Sequence, residues 1–233
     1  MKYQKLAAIL KENIDKGLYH ETGKLPTEDR LMALYNVTRY CVRNAVNLLV
    51  GQGCLYPVQG SGILVRESKK AGCLSLQNTM GLAAEFSSEE VRTKVVKIEE
   101  MTADERIGKR LKCKEGTPVY YIVRLRIVKG EKFAVEYSYY NKEIVRYVNK
   151  EIAEGSLYKY IRKDMGLNIG FADKIIYCEK LKGEEAELLG LVEGEPAMIV
   201  EDDAYLANGL MFDASKVIYN YNYAKFFTLA DMK

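Results

Sequence analysis

The sequence predicts an α+β fold in two parts: a small basic head of three helices closed by a β-hairpin, and a larger, mainly antiparallel sheet flanked by short helices. Three observations carry this expectation. Helical stripes and cap residues fill the first seventy positions, β-rich runs broken by glycines dominate after residue 90, and charge divides between the two. Residues 1–70 carry net +5 and the remainder net −2. At 233 residues, 48% hydrophobic and 29% charged, the chain can bury a real core, with a prior of one to two domains. Five cysteines without a C-x-x-C pair fit a reducing cytosol, and a single histidine argues against His-based catalysis or a His-rich metal site. No apolar run approaches the ~18 residues of a membrane span. Lys11, Glu12 and Asn13 break the opening apolar stretch where a signal peptide would continue. A cytoplasmic protein with no cofactor, no metal and no membrane partner is expected.

The head is justified element by element. Tyr3, Leu6, Ala7, Leu10 and Ile14 form a helical stripe that stops at Gly17. In KLPTEDRLMALY, Pro26 restrains the entry, Thr27 is an N-cap, and Leu31 and Leu34 supply the buried side of a second helix. Asn36 suits a left-handed turn. Thr38 caps a third helix, RYCVRNAVNLLVGQG, with Val42, Ala45, Val46 and Leu49 inward and Gly53 ending it. Extended runs Leu55–Val58 and Ile63–Arg66 follow, joined by QGSG. That order reads as a winged helix-turn-helix. Arg39, Tyr40, Arg43, Asn44 and Asn47 share the polar face of the third helix, which can enter a major groove about 12 Å wide and offer forked donors to base edges. Thr27 and Thr38 at helix starts suit phosphate oxygens, and Gly60 and Gly62 let the hairpin tip approach a backbone. Cys41 reads either as a small buried hydrophobe or as a thiol sensor.

These residues carry a family resemblance. Residues 3–66, through LPTE, V-T-R, V-R, A-V and QGSG in that order, resemble the DNA-binding domain of the GntR transcription-regulator family. The resemblance implies DNA-contacting roles for Thr38, Arg39 and Arg43 and a wing-tip role for Gly60. Where the family commonly has Ser and a following Arg around the Glu of the second helix, this chain has Thr27, Glu28 and Asp29, with the arginine displaced to Arg30. Asp29 in that place would repel a phosphate. Tyr40 and Cys41 replace small hydroxyl residues and imply an altered operator preference.

In the body, ESKKAGCLSLQNTMGLAAEFSSEE reads as linker and lead-in. Thr93–Glu100 predicts a strand, and Thr102 with Glu105 has capping-box spacing before a short helix containing Ile107 and Leu111. GTPVYYIVRLRIVKGEKFAVEYSYY predicts a hairpin around Lys129–Glu131. The plan then recurs: Gly116 and Gly194 are 78 residues apart, and turn glycines Gly130 and Gly209 are 79 apart, so two related helix–hairpin units share one sheet. Between them Ser156 caps LYKYIRKDMG and Ile169–Cys178 adds a strand. Asn208-Gly209 predicts a two-residue primed turn. Domain boundaries are expected at 1–68, 69–91 and 92–233.

The body, over about residues 92–228, resembles the UTRA effector-binding domain, a chorismate-lyase-like fold found in the HutC branch of GntR regulators. That resemblance implies an effector pocket at Arg124, Arg126, Glu136, Ser156, Tyr158 and Tyr219, with Asp213 where relatives carry Glu. Arg124 and Arg126 alternate on one strand and share a face, so their burial calls for carboxylates or an anionic ligand. The same set also reads as a structural Arg–Glu pair beside aromatic sheet packing. Glu201, Asp202 and Asp203 are adjacent on a strand and face opposite sides, which argues against a metal and for a solvated edge or an inter-domain salt bridge. The function implied is a ligand-responsive repressor, a homodimer on double-stranded operator DNA, released by a small anionic metabolite such as a phosphorylated sugar or amino sugar. The competing readings are a DNA-binding protein whose body only dimerises, and an enzyme acting on a sugar.

Overall fold

The structure, a computed structural model, describes residues 1–66, 73–76, 82, 86 and 90–228. The chain divides into two compact units, Met1–Cys73 with the last residues from Phe227, and Leu74–Phe226. Most of the expected linker, residues 69–91, lies outside the described residues.

The head comprises α1 (Tyr3–Asp15), α2 (Glu28–Tyr35), α3 (Arg39–Gly51), β1 (Leu55–Val58) and β2 (Gly62–Val65). The hydroxyl oxygen of Thr27 accepts from the Arg30 N–H at 3.4 Å, and that of Thr38 from the Cys41 N–H at 3.3 Å, so each caps the first turn of its helix. Asn36 ends α2 at φ +48°, the left-handed turn that brings α3 back across α2. Leu6, Leu10, Leu31, Val42, Ala45 and Leu49 close a single core, in which Cys41 is buried as well. Leu34, expected inward, is instead 64% exposed. β1 and β2 pair antiparallel, Leu55 opposite Val65.

The body contains β3 (Leu74–Ser75), β4 (Val91–Thr102), α4 (Glu105–Leu111), β5 (Pro118–Val128), β6 (Glu131–Asn141), α5 (Lys150–Glu154), α6 (Leu157–Lys163), β7 (Ile169–Lys180), α7 (Gly183–Leu189), β8 (Pro196–Leu206), β9 (Met211–Asn220) and β10 (Phe226–Phe227). Six strands form one antiparallel sheet in the order β4-β5-β6-β9-β8-β7. Alternation on β5 sends Tyr120 and Ile122 to a core with α5 and α6, while Val123 and Leu125 join residues of α7 on the other face. β3 pairs with β10, and Leu74 and Leu82, from the expected linker, are buried against Phe133 and Tyr219.

The expected repeat is present down to its hydrogen bonds. Ala103 donates to the Thr117 carbonyl and Gly116 to Ala103, both at 2.8 Å; 78 positions on, Leu181 donates to Glu195 at 2.8 Å and Gly194 to Leu181 at 3.0 Å. Gly116 and Gly194 both hold positive φ before a Pro-led strand. The central pair β6–β9, with Tyr137 opposite Lys216, is the seam between the halves.

Two local expectations are corrected. Asp104, not Thr102, caps α4, accepting from the Ile107 N–H at 2.7 Å, because β4 still runs through Thr102. The β8–β9 turn has three residues: Leu206 donates to the Leu210 carbonyl, Gly209 to Leu206, and only Gly209 takes positive φ. That is a turn followed by a glycine bulge, matching the register shift at Ala204/Tyr205. The two-residue turn occurs at Lys129-Gly130, where both residues have positive φ.

Candidate functional site

Two sites emerge, one in each unit. On the head, α3 presents Arg39, Tyr40 and Arg43 to solvent, Tyr40 at 75% exposure. Neither arginine is idle. Arg43 Nε donates to Glu28 at 3.0 Å, while Arg39 meets Asp29 at 2.5 Å and Glu28 at 3.8 Å. These pairs are largely solvated, so each is worth at most about 1 kcal/mol and an incoming phosphate or base edge can displace the carboxylate. Asn44 turns its amide back to the Tyr40 carbonyl at 2.8 Å. Thr27 and Arg30 are exposed at the start of α2, and Thr38 at the start of α3. Gly60 sits at the hairpin tip with φ +78° and open space where a Cβ would be, so its turn favours glycine for conformation rather than for room.

The body holds a cavity of about 100 Å³ on the α6 side of the sheet, several times what one water needs. It brings together Arg124, Arg126, Glu136, Ser156, Tyr158 and Tyr219 from the expected set. Arg124 and Glu136 are cross-strand partners, 2.5 Å apart, and Arg126 reaches the other Glu136 oxygen at 3.6 Å. Arg124 also donates to the Ala153 carbonyl at 3.2 Å. Both guanidinium groups are buried, and among the described residues the Nε of each lacks a hydrogen-bond partner. Burial would raise the Glu136 carboxyl, but Arg124 and Arg126 hold it below its ordinary range. For Arg126, burial and then the neighbouring Arg124 push the guanidinium down to about 10, so one carboxylate does not balance two cations. An anion would.

Asp213 does not line this cavity. It is sealed behind the lining, accepting from Ser215 at 2.6 Å and from the Tyr158 hydroxyl at 2.8 Å. Burial, against those two hydrogen bonds, pushes its carboxyl up to about 7. Ser138 donates to Glu136 at 3.1 Å and its oxygen lies 3.1 Å from that of Ser215, so two hydroxyls stand in line between Asp213 and the arginine pair. Ser156 caps α6, accepting from the Lys159 N–H at 3.3 Å.

Sequence reasoning missed the two further charged lining residues, Lys174 and Asp202, which are ion-paired across β7 and β8. The acidic run is therefore not a solvated edge but is ion-paired within the body. Asp202 faces the cavity side, and Glu201 and Asp203 lie 3.5 and 3.7 Å from Arg110 of α4 on the other. Among the described residues, no group of three or more His, Cys, Asp or Glu could hold a metal ion. No helix among them is long and apolar enough to cross a membrane.

Comparison with known proteins bears on both units. The sequence profile of the bacterial regulatory proteins of the gntR family matches residues 2–65, and that of the UTRA domain matches residues 87–225. The chain is 35% identical over 231 residues to the uncharacterized HTH-type transcriptional regulator YydK of Bacillus subtilis, covering 99% of this chain and 98% of that protein. The crystal structure of YydK superposes with a TM-score of 0.84 at 34% identity, covering 99% of this chain and 100% of that one. A more distant relative is the mannosyl-D-glycerate transport/metabolism system repressor MngR of Escherichia coli, 24% identical over 231 residues, 99% of this chain and 96% of that protein. With a winged helical head and an α+β body each matched by its profile, the chain belongs to the GntR family of transcriptional regulators and carries a UTRA effector-binding domain.

Proposed function

We propose that the chain is a repressor of the HutC branch, released from double-stranded operator DNA by a small anionic metabolite such as a phosphorylated sugar or amino sugar. The observation that carries the effector half is the pair of buried guanidinium groups that share one carboxylate and keep each Nε without a partner. A phosphate takes paired, charge-assisted hydrogen bonds from such a fork and offsets its desolvation. MngR, a repressor of a mannosyl-D-glycerate system, supports an anionic sugar as the class. Ser156, Tyr158 and Tyr219 line the space beside the anion, and Asp213 acts through Tyr158.

On the DNA side, Thr38, Arg39, Tyr40, Arg43 and Asn44 open the helix that enters the major groove. Thr27 and Arg30 meet phosphates, and Gly60 brings the hairpin tip to the backbone. The body dimerises, so that two heads read successive half-sites of a pseudo-palindrome. We divide the cytoplasmic chain functionally into a DNA-binding domain at 1–68, a linker and lead-in at 69–91 and an effector and dimerisation domain at 92–233. Effector binding lowers operator affinity by a coupling free energy between the two sites. Selection of bound duplexes from a random pool, followed by a metabolite screen for release, tests this reading. A recovered pseudo-palindrome released by an anionic sugar is expected. A body that binds no metabolite while the head keeps its operator would leave only a dimeric DNA-binding protein.

A further inference from the structure

We infer that Lys174 and Asp202 form a second pole of the effector site, and that they select an effector carrying hydrogen-bond donors at the end opposite its anion. This rests on the anion site proposed above. Among the described residues, the buried polar atoms without partners around the cavity are of two kinds. At one end stand two donors, the Nε atoms of Arg124 and Arg126; on the β8 wall stands an acceptor, Asp202 Oδ1. The other Asp202 oxygen is taken by Lys174, and both side chains are more than four-fifths buried. A bound molecule that satisfies all three must offer anionic oxygens to the arginines and a hydroxyl or ammonium to Asp202.

The internal repeat makes the arrangement specific. Arg124 plus 78 positions is Asp202, so the two are equivalent residues of the two halves. Their cross-strand partners, Glu136 opposite Arg124 and Ser215 opposite Asp202, are equivalent as well, 79 positions apart. One site thus occurs twice about the β6–β9 seam, with opposite charge at its two copies. Between Arg124 and Asp202 lie three strand intervals of about 4.8 Å and one register step of two residues, which puts their α-carbons roughly 16 Å apart. Side chains reaching inward from both ends leave the span of one hexose-sized molecule. The polar row Ser215–Asp202–Lys174, one residue per strand across β9, β8 and β7, lines its floor.

The test uses the full-length protein and calorimetry with four probes: inorganic phosphate, n-butyl phosphate, glucose-6-phosphate and glucosamine-6-phosphate. The parent should prefer the two sugar phosphates over butyl phosphate by about tenfold or more, the effect of donors meeting a buried carboxylate. Asp202→Asn should cut that preference to about threefold or less while inorganic phosphate still binds saturably. Lys174→Met, which leaves Asp202 without its cation, should shift preference toward the amino sugar phosphate. A full sugar preference retained in Asp202→Asn overturns the second pole and leaves the arginine site standing. No saturable binding of any phosphate probe by the parent overturns the arginine site, and the second pole with it. Thermal melts check folding; should Asp202→Asn fail to fold, an unchanged amino-to-neutral ratio in Lys174→Met overturns the proposal.

Discussion

The head and the body each place two arginines against a carboxylate, and the surroundings give the two arrangements different meanings. Arg39 and Arg43 meet Glu28 and Asp29 at the surface, where water screens the pairs and either partner can leave. Arg124 and Arg126 meet Glu136 inside, where neither charge can return to water without unfolding the sheet around it. The head pairs leave their arginines free to exchange partners. The body pair is a fixed, under-neutralised clamp. Exposure, rather than distance, separates the two.

The largest test of that contrast is Glu136→Ala. It leaves two buried guanidinium groups without their carboxylate, and denaturant unfolding should show a loss of about 3–5 kcal/mol. High phosphate should recover part of it. A loss below about 1 kcal/mol would place the body pair in the same class as the head pairs.

Next in size is a pH effect behind the clamp. The Asp213 carboxyl is raised to about 7, so between its ordinary range near 4 and that value the folded protein holds a proton that the unfolded chain has released. Its contribution to stability is therefore greatest below pH 4 and falls as pH rises to about 7, by a few kcal/mol. Asp213→Asn should flatten that slope in unfolding curves measured from pH 4 to 8. An unchanged slope would show that Asp213 is ionised throughout.

Arg43→Ala should cost ~1–3 kcal/mol of discrimination between operator and scrambled DNA. Its folding stability should change by less than about 1 kcal/mol, since only an exposed pair with Glu28 is lost. Equal affinities of mutant and parent for both DNAs would remove Arg43 from base reading. Smallest of all is Asp29→Asn, which frees Arg39 from its 2.5 Å partner. DNA affinity should rise up to about threefold and the salt dependence should steepen, with the melting temperature nearly unmoved. Weaker DNA binding in this variant would mean that Asp29 positions Arg39 rather than competing for it.

The head was legible because its signals are local. Thr27, Asn36 and Thr38 each set a helix boundary through bonds within a few residues. In the body, Gly116 and Gly194 disclosed the repeat because the turn they make demands positive φ in both copies. Alternation put Arg124 and Arg126 on one face and Asp202 opposite its neighbours, but strand register lies beyond periodicity. That Lys174 meets Asp202 depends on the β7–β8 register, and that Asp202 shares a cavity with Arg124 depends on the β6–β9 pairing between strands far apart in sequence. Helix α5, five residues long, is too short to show a period, and the Asp104 cap was hidden because β4 extends past the expected end at Glu100.

The seam also bears on how the sheet assembles. β4–β5–β6 and β7–β8–β9 are each meanders of short-range pairings, whereas Ser138 and Ser215 meet across 77 residues of chain. Closing that loop costs entropy before any contact repays it, so each half can zip early while the β6–β9 join is the slow, non-local step. A molecule gripping both the Arg124–Arg126 pair and Asp202 straddles that join. Its main kinetic effect is then on unfolding: bound effector holds together the last pairing to form, and lengthens the lifetime of the folded body more than it hastens its folding.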